Sequence, residues 1–289
     1  MYKGITKGKG NKHGLDKFYT KDEVAKRLID LMDLDSYDAI IEPSAGGGSF
    51  SRQLVKYNLY AYDIAPESPE VIELDWFDLD TQYFNDKYKK VLVVGNPPFG
   101  VGGNLAIDFI KQATKIADTI AFILPKSFMK DTLMNKIPLN YWLKEEIVGS
   151  RGLELEDRIF TLNGEGYGVP CVFQVWEKRE ELREPIVYRT TSKYIEFVGK
   201  DEADFRVQRV GGNAGKASKK LDVSKQSNYF IRLKDDCIFS VDEMVDLIND
   251  LEYPTVMYTV GPKSLSKGEL IKVMEDSIEV IQNKQERIA

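Results

Sequence analysis

Three short runs of this chain are apolar without a break: "AII" at 39–41, "VLVV" at 91–94 and "IAFIL" at 120–124. A strand with one face in water alternates apolar and polar residues. A strand that is apolar at every position must be covered on both faces, the condition of a parallel sheet between two layers of helices. The stretches between these runs have helical spacing. Residues 21–34, "KDEVAKRLIDLMDL", put Val24, Ala25, Leu28, Ile29 and Met32 on one face. Thr20 is expected to cap this helix, with Glu23 completing a capping box. "NLAIDFIKQATKIA" at 104–117 predicts another amphipathic helix, and "LYAYDI" at 59–64, "WLKEEIVG" and "VPCVFQVWEK" predict further strands. The pattern predicts an α/β fold with a mostly parallel, doubly wound sheet, running to about Lys178.

The charged stretch "EKREELREP" at 177–185 then interrupts the rhythm. Short β-like pieces follow, with a glycine-rich segment, "RVGGNAGKASKK", and two helical stretches, "VDEMVDLINDL" and "SKGELIKVMEDSIEVIQNK". We expect two domains, 1–184 and a smaller α+β domain at 185–289. A length of 289 residues is enough for both. No run of eighteen apolar residues is present, so no membrane span is expected. The basic N-terminal stretch is not followed by an apolar segment, so it does not read as a secretory signal. Cys171 sits in an apolar strand and reads as a buried thiol, which fits a reducing cytoplasm. With one histidine and two cysteines, no metal site is expected.

The net charge of −6 argues mildly against a nucleic-acid partner. Its distribution argues the other way. Between Arg206 and Lys234 there are eight Lys/Arg against the single acid Asp222, and Lys3, Lys7, Lys9, Lys12 and Lys17 crowd the N-terminus. Arg206, Arg209, Lys216, Lys219 and Lys220 are the candidates for phosphate contacts.

Two segments carry the chemistry. "IIEPSAGGGSF" at 40–50 reads as strand, glycine loop and the start of a helix, "SFSRQLVKY". Small residues let backbone approach a ligand. The spacing is not G-x-G-x-x-G, and Glu42 before the loop suits a cation better than a pyrophosphate. Asp63, ending the second strand, stands where an acid accepts ribose hydroxyls. Asp75 is placed to accept from an adenine amino group, with Trp76 or Ile64 packing on the ring; Asp78 competes for that role. The second segment, "NPPF" at 96–99, ends a strand with two consecutive prolines. Pro97 pushes Asn96 into the extended region, and Pro97 and Pro98 fix two φ angles in succession. Such a turn points the Asn96 oxygen and a carbonyl in set directions, two acceptors suited to the two N–H bonds of an exocyclic amine. Phe99 offers a ring on which a base stacks.

The succession "KFYT" (17–20), "EPSAGGGSF" (42–50), "YDI" (62–64), "DWFD" (75–78) and "NPPF" (96–99) resembles the S-adenosylmethionine-dependent N6-adenine DNA methyltransferases, in the motif order of their γ class. The resemblance covers residues 15–178. It implies a Rossmann-like class I methyltransferase fold with a C-terminal target-recognition domain, and methyl transfer to a flipped-out adenine. Phe18, Tyr19, Thr20, Glu42, Pro43, Ser44, Ala45 and Gly46 would hold the methionine end of the cofactor. Asp63 would hold its ribose and Asp75 its adenine, with Trp76 or Ile64 on the ring, and Asn96 would border it. Asn96, Pro97, Pro98 and Phe99 would grip the target base. Lys21 stands where the family has proline. The implied partner is DNA, double- or single-stranded, with the chain acting as a monomer or homodimer in the cytoplasm of a bacterium, its own or a phage's host. NPPF also occurs in RNA methyltransferases, and a related NPPY in protein-glutamine methyltransferases. Those activities, or a cofactor-binding subunit without catalysis, are the alternatives.

Overall fold

The computed structural model describes residues 18–148, 159–162 and 165–286. The chain divides into two compact units, one running to Pro185 and the other beginning at Ile186.

In the first unit the elements follow in the order β1 (Tyr19–Thr20), α1 (Asp22–Ile29), β2 (Ala39–Glu42), β3 (Leu59–Asp63), β4 (Ile72–Glu73), α2 (Thr81–Lys87), β5 (Val91–Gly95), α3 (Asn104–Ala113), β6 (Thr119–Pro125), α4 (Asp131–Met134), β7 (Tyr141–Val148), β8 (Phe160–Leu162), β9 (Glu165–Tyr167) and β10 (Cys171–Lys178). Seven strands form one sheet in the order β4-β3-β2-β5-β6-β10-β7. The first five run parallel. β10 inserts antiparallel between β6 and β7, with a register shift between Val175 and Trp176 on the β7 side. This is a Rossmann-like class I methyltransferase fold, with the strand order reversing between β2 and β5.

Each central strand feeds two cores, as its continuous apolar run requires. Ile41, Val93 and Phe122 pack on one face with Ala106 and Ile110 of α3. Ile40, Leu92 and Ile123 pack on the other with Val24 and Leu28 of α1. Phe122 and Phe173 are fully buried, and burying a side chain of this size contributes about 1.5–3 kcal/mol.

Two local expectations fail. Thr20 is not a helix cap: it lies in β1, paired with Phe160 of β8, and Lys21 takes the N-cap position without a side-chain capping bond. The segment after the glycine loop is not an α-helix. It makes one 3-10 turn, Ser51–Gln53. The Ser49 hydroxyl donates to the Thr20 carbonyl (2.6 Å) and the Ser51 hydroxyl to Glu42. Side-chain bonds of this kind compete with helix formation.

The second unit is α+β. Its elements are β11 (Ile195–Phe197), β12 (Phe205–Gln208), β13 (Ala217–Ser218), β14 (Asn228–Leu233), α5 (Val241–Asp250) and α6 (Lys267–Glu286). The strands form an antiparallel sheet in the order β11-β14-β12-β13. Phe205, Val207 and Ile231 pack under Met244 and Ile248 of α5 and Leu270 and Met274 of α6. Ser240 and Glu243 form a capping box at the start of α5. Among the described residues no helix is long and apolar enough to cross a membrane.

Candidate active site

A cavity of about 430 Å³ opens at the C-terminal ends of β2, β3 and β5, where open α/β sheets hold their ligands. All of the residues expected at the cofactor and target base line it: Phe18 to Thr20, Glu42 to Gly46, Asp63, Ile64, Asp75, Trp76 and Asn96 to Phe99.

Glu42 closes β2 and is buried, 2% exposed. Burial pushes its carboxyl from the ordinary 4.5 up to about 7, against hydrogen bonds from Ser51 that favour the charged form. Gly95, at the end of β5, has φ +147, and a Cβ there would meet the Glu42 Cγ at 3.3 Å. Glycine at 95 thus lets the strand that carries Asn96 pass the buried acid.

The glycine loop is held by its own acid. The Asp63 carboxylate accepts from the Gly46 N–H (2.8 Å) and the Ala65 N–H (2.8 Å). Gly46 has φ +50, and the Tyr19 ring lies 3.6 Å from where its Cβ would be. The Tyr19 hydroxyl crosses to Glu67 (2.6 Å), and burial and that acid raise its pKa. The Ser44 hydroxyl donates to the Asn96 carbonyl (3.0 Å), tying the glycine loop to the NPPF turn.

The Asn96 amide is oriented by the residue that precedes β1. Its Nδ2 donates to the Phe18 carbonyl (3.1 Å), while Oδ1 is buried with no hydrogen-bond partner. The hydroxyl of Thr20, a residue 5% exposed, is likewise buried without a partner. Buried acceptors and hydroxyls without partners are rare and mark places where a ligand completes the set. Phe99 is half-buried and braced edge-on by Phe160, with ring centroids 6.4 Å apart.

Several expectations need adjusting. Trp76 does not offer its ring: it is 2% exposed, donates to the Phe109 carbonyl (3.2 Å) and stacks on Phe109 in the core. Ile64, 54% exposed, remains as the open apolar side chain. Asp75 lines the cavity and its carboxylate accepts from the Phe77 N–H (3.0 Å); Asp78 is exposed and is not part of the lining. Sequence reading missed Glu67, Phe77, Asn104, Asp108 and Phe109 in the wall. Asn104 and Asp108 stand four apart at the start of α3, a spacing that puts both on one face and was a usable signal. Nothing in the sequence pointed to Glu67.

The five basic candidates of the second unit have varied surroundings. Lys216 donates to the Asn249 carbonyl (2.6 Å) and Lys219 pairs with Asp242 (2.5 Å). Arg206 donates to Asn228 (3.1 Å), and Arg209 lies 5.3 Å from the centre of the Tyr229 ring. Lys220 is exposed. The N-terminal lysines lie outside the described residues.

No family model and no curated protein matches the chain. Solved structures do. One, from Pyrococcus horikoshii, is provisionally described as an RNA methyltransferase (16% identity, TM-score 0.43, covering 61% of this chain and 92% of that one). Another is the 23S rRNA methyltransferase ErmE (16%, TM-score 0.41, 57% and 71%). A third, from Vibrio vulnificus, is provisionally described as a type I restriction enzyme's modification subunit (14%, TM-score 0.41, 56% of this chain); the match spans 44% of that subunit.

Proposed function

We propose that this chain transfers a methyl group from S-adenosylmethionine to the N6 amino group of adenine in DNA. The observation that carries the reading is the Asn96 amide: its nitrogen is held by the Phe18 carbonyl, and its oxygen is buried without a donor, in a residue that lines the same cavity as the glycine loop.

The residues present fit the cofactor. Glu42 is a buried acid whose side-chain hydrogen bond comes from the neutral Ser51 hydroxyl, which leaves it suited to an ammonium or sulfonium, and the unpartnered Thr20 hydroxyl suits a carboxylate. Asp63 and Asp75 would hold the ribose and adenine, with Ile64 against the ring. When bound, S-adenosylmethionine supplies an electrophilic methyl group on a sulfonium.

The chain's own contribution is placement and polarity. The lone pair of an adenine amine is delocalised into its ring. Accepting its N–H bonds at the Asn96 oxygen draws the nitrogen towards a tetrahedral shape and frees the pair for attack. Pro97 and Pro98 keep that acceptor from swinging away, and Phe99 stacks the base. No general base is needed, because a methylated amine loses its proton readily to water. An adenine within a duplex has to leave the stack to reach the cavity.

The test is to incubate the protein with methyl-labelled cofactor and, separately, duplex DNA, single-stranded DNA, RNA and a protein extract, followed by nucleoside analysis. N6-methyladenine in DNA is the expected product. Label only in RNA or in glutamine side chains would replace this reading with one of its alternatives.

A further inference from the structure

One end of the sheet in the second unit gathers cations. There β12 ends and β14 begins, and a third segment joins them. The Arg209 N–H donates to the Ser227 carbonyl (2.8 Å), the Leu265 N–H to the Arg209 carbonyl (2.8 Å) and the Gly211 N–H to the Lys263 carbonyl (2.9 Å). Val210 and Ser264 form an antiparallel bridge between them. The period of two in such a ladder puts Lys263 on the same face as Arg209. No Asp or Glu occurs from Phe205 to Leu221, from Val223 to Lys234 or from Tyr253 to Gly268. In a chain of net charge −6 this is a local reversal of sign.

Two of the cations there, Arg209 and Lys267, lie against rings and not against carboxylates. The Arg209 guanidinium lies 5.3 Å from the Tyr229 ring centre, and the Lys267 ammonium lies 4.4 Å from that of Phe197 and 5.8 Å from that of Tyr229. Phe197 and Tyr229 meet edge to face at 5.4 Å. Some of the unit's other cations are paired with acids: Lys200 with Asp222, Lys219 with Asp242, and Arg232 with Glu196 and Glu202. Among the described residues Arg209, Lys263 and Lys267 have no such ion pair, and the Arg209 Nε is buried without an acceptor. Glu269, the next acid along the chain, is buried, and its carboxylate accepts from the Ser266 N–H (2.7 Å).

Ring contacts orient a cation without neutralising it. A patch of oriented, uncompensated cations beside aromatic rings suits a chain of phosphates better than a single anion. We infer that this end of the second unit, carried by Arg209, Lys263 and Lys267, holds the phosphodiester backbone of the nucleic-acid substrate. The neighbouring stretch from Lys216 to Lys220 does not supply the main contacts, because Lys216 and Lys219 are engaged within the unit. The inference rests on the reading of the protein as a nucleic-acid methyltransferase, and it names the surface by which that substrate is held.

The experiment uses the full chain with Arg209→Gln, Lys263→Gln and Lys267→Gln combined, beside a Lys216→Gln, Lys219→Gln control. Binding of labelled duplexes of unrelated sequence is measured against salt concentration, with cofactor binding and thermal melting recorded on the same samples. The triple variant is expected to bind every duplex more weakly, with a log–log salt slope shallower by about two to three units, roughly 0.9 for each lost phosphate contact. The control pair should keep the wild-type slope. Lys267→Gln alone, at an exposed position, reports a loss of about one unit should the triple variant melt early. A triple variant with the wild-type slope, or a control pair that takes the larger loss, would overturn the inference while leaving DNA methylation by the wild-type chain standing. Displacement of the duplex by polyglutamate at equal charge would also overturn it. A wild-type chain that binds cofactor and methylates protein, but binds no nucleic acid, would remove the functional reading as well.

Discussion

The cavity has two proline-containing walls, and they are built on opposite plans. In the glycine loop after β2, polar groups find partners within the fold: Gly46 bonds to Asp63, Ser49 to the Thr20 carbonyl, and Glu42 to Ser51. In the turn after β5, two prolines supply the rigidity and the Asn96 oxygen is left without a donor. The first wall keeps its shape by internal hydrogen bonding. The second adds covalent restriction of φ to its few hydrogen bonds, and the Asn96 side-chain oxygen is left without an internal donor. A protein that must present an acceptor to a substrate amine gains from this division, since any internal donor would compete with the substrate.

Asn96→Ala should break the division most severely. Methyl transfer is expected to fall by a factor on the order of a hundred to a thousand, with cofactor affinity nearly unchanged, as measured by single-turnover rates beside equilibrium binding. A variant that lost cofactor affinity and kept its transfer rate would invert the assignment of the two walls.

Glu42 sharpens the comparison through pH. In the ligand-free protein between pH 4.5 and about 7, the folded state holds a proton that the unfolded chain has released. This group's contribution to stability therefore falls as pH rises through that window, by up to about 3 kcal/mol, and is level above it. Denaturant titrations across pH should show the fall, and Glu42→Gln should remove it. Only the carboxylate attracts a cation, so affinity for S-adenosylmethionine is expected to rise about tenfold per pH unit towards 7 and then to level off. A pH-independent affinity would separate Glu42 from the cofactor's charge.

Gly46→Ala tests the internally bonded wall. Its φ of +50 costs an L-residue about 1–2 kcal/mol, and the loss should appear in thermal melting and cofactor affinity together. Tyr19→Phe removes only the bond to Glu67 and should cost less than about 1 kcal/mol. A larger loss in cofactor affinity than in stability would make that tyrosine part of the ligand's cover.

The strands of the sheet were legible because their cause is local: "VLVV" and "IAFIL" admit little but two-sided burial. The glycine loop and the NPPF turn were legible for the same reason, each being a short stretch whose residues limit their own backbone. What escaped was decided at long range. Thr20 and Glu23 have the spacing of a capping box, yet Thr20 pairs with Phe160, and local spacing carries no sign of so distant a strand. "SFSRQLVKY" has helical composition, but its serines are committed to Thr20 and Glu42. Two adjacent aromatics, Trp76 and Phe77, gave no indication which would turn inward; both meet the Phe109 ring of α3, and the Phe109 carbonyl takes the indole N–H of Trp76, the one that is buried. Lys216 and Lys219 counted equally with Arg209 in the sequence because the acid and the carbonyl that engage them, Asp242 and Asn249, lie in α5.

The bond from Asn96 to the Phe18 carbonyl has a practical consequence. A shortened chain starting at Lys21 would retain all seven strands of the main sheet, and by circular dichroism it would pass as nearly intact, although it also loses β1 and the Tyr19 and Thr20 bonds that brace the glycine loop. It would nevertheless lack the peptide oxygen that tells the amide which way to face. With neither orientation of the amide preferred, nitrogen would stand where oxygen is wanted in a share of the molecules, so a well-folded fragment would be a poor proxy for the full chain.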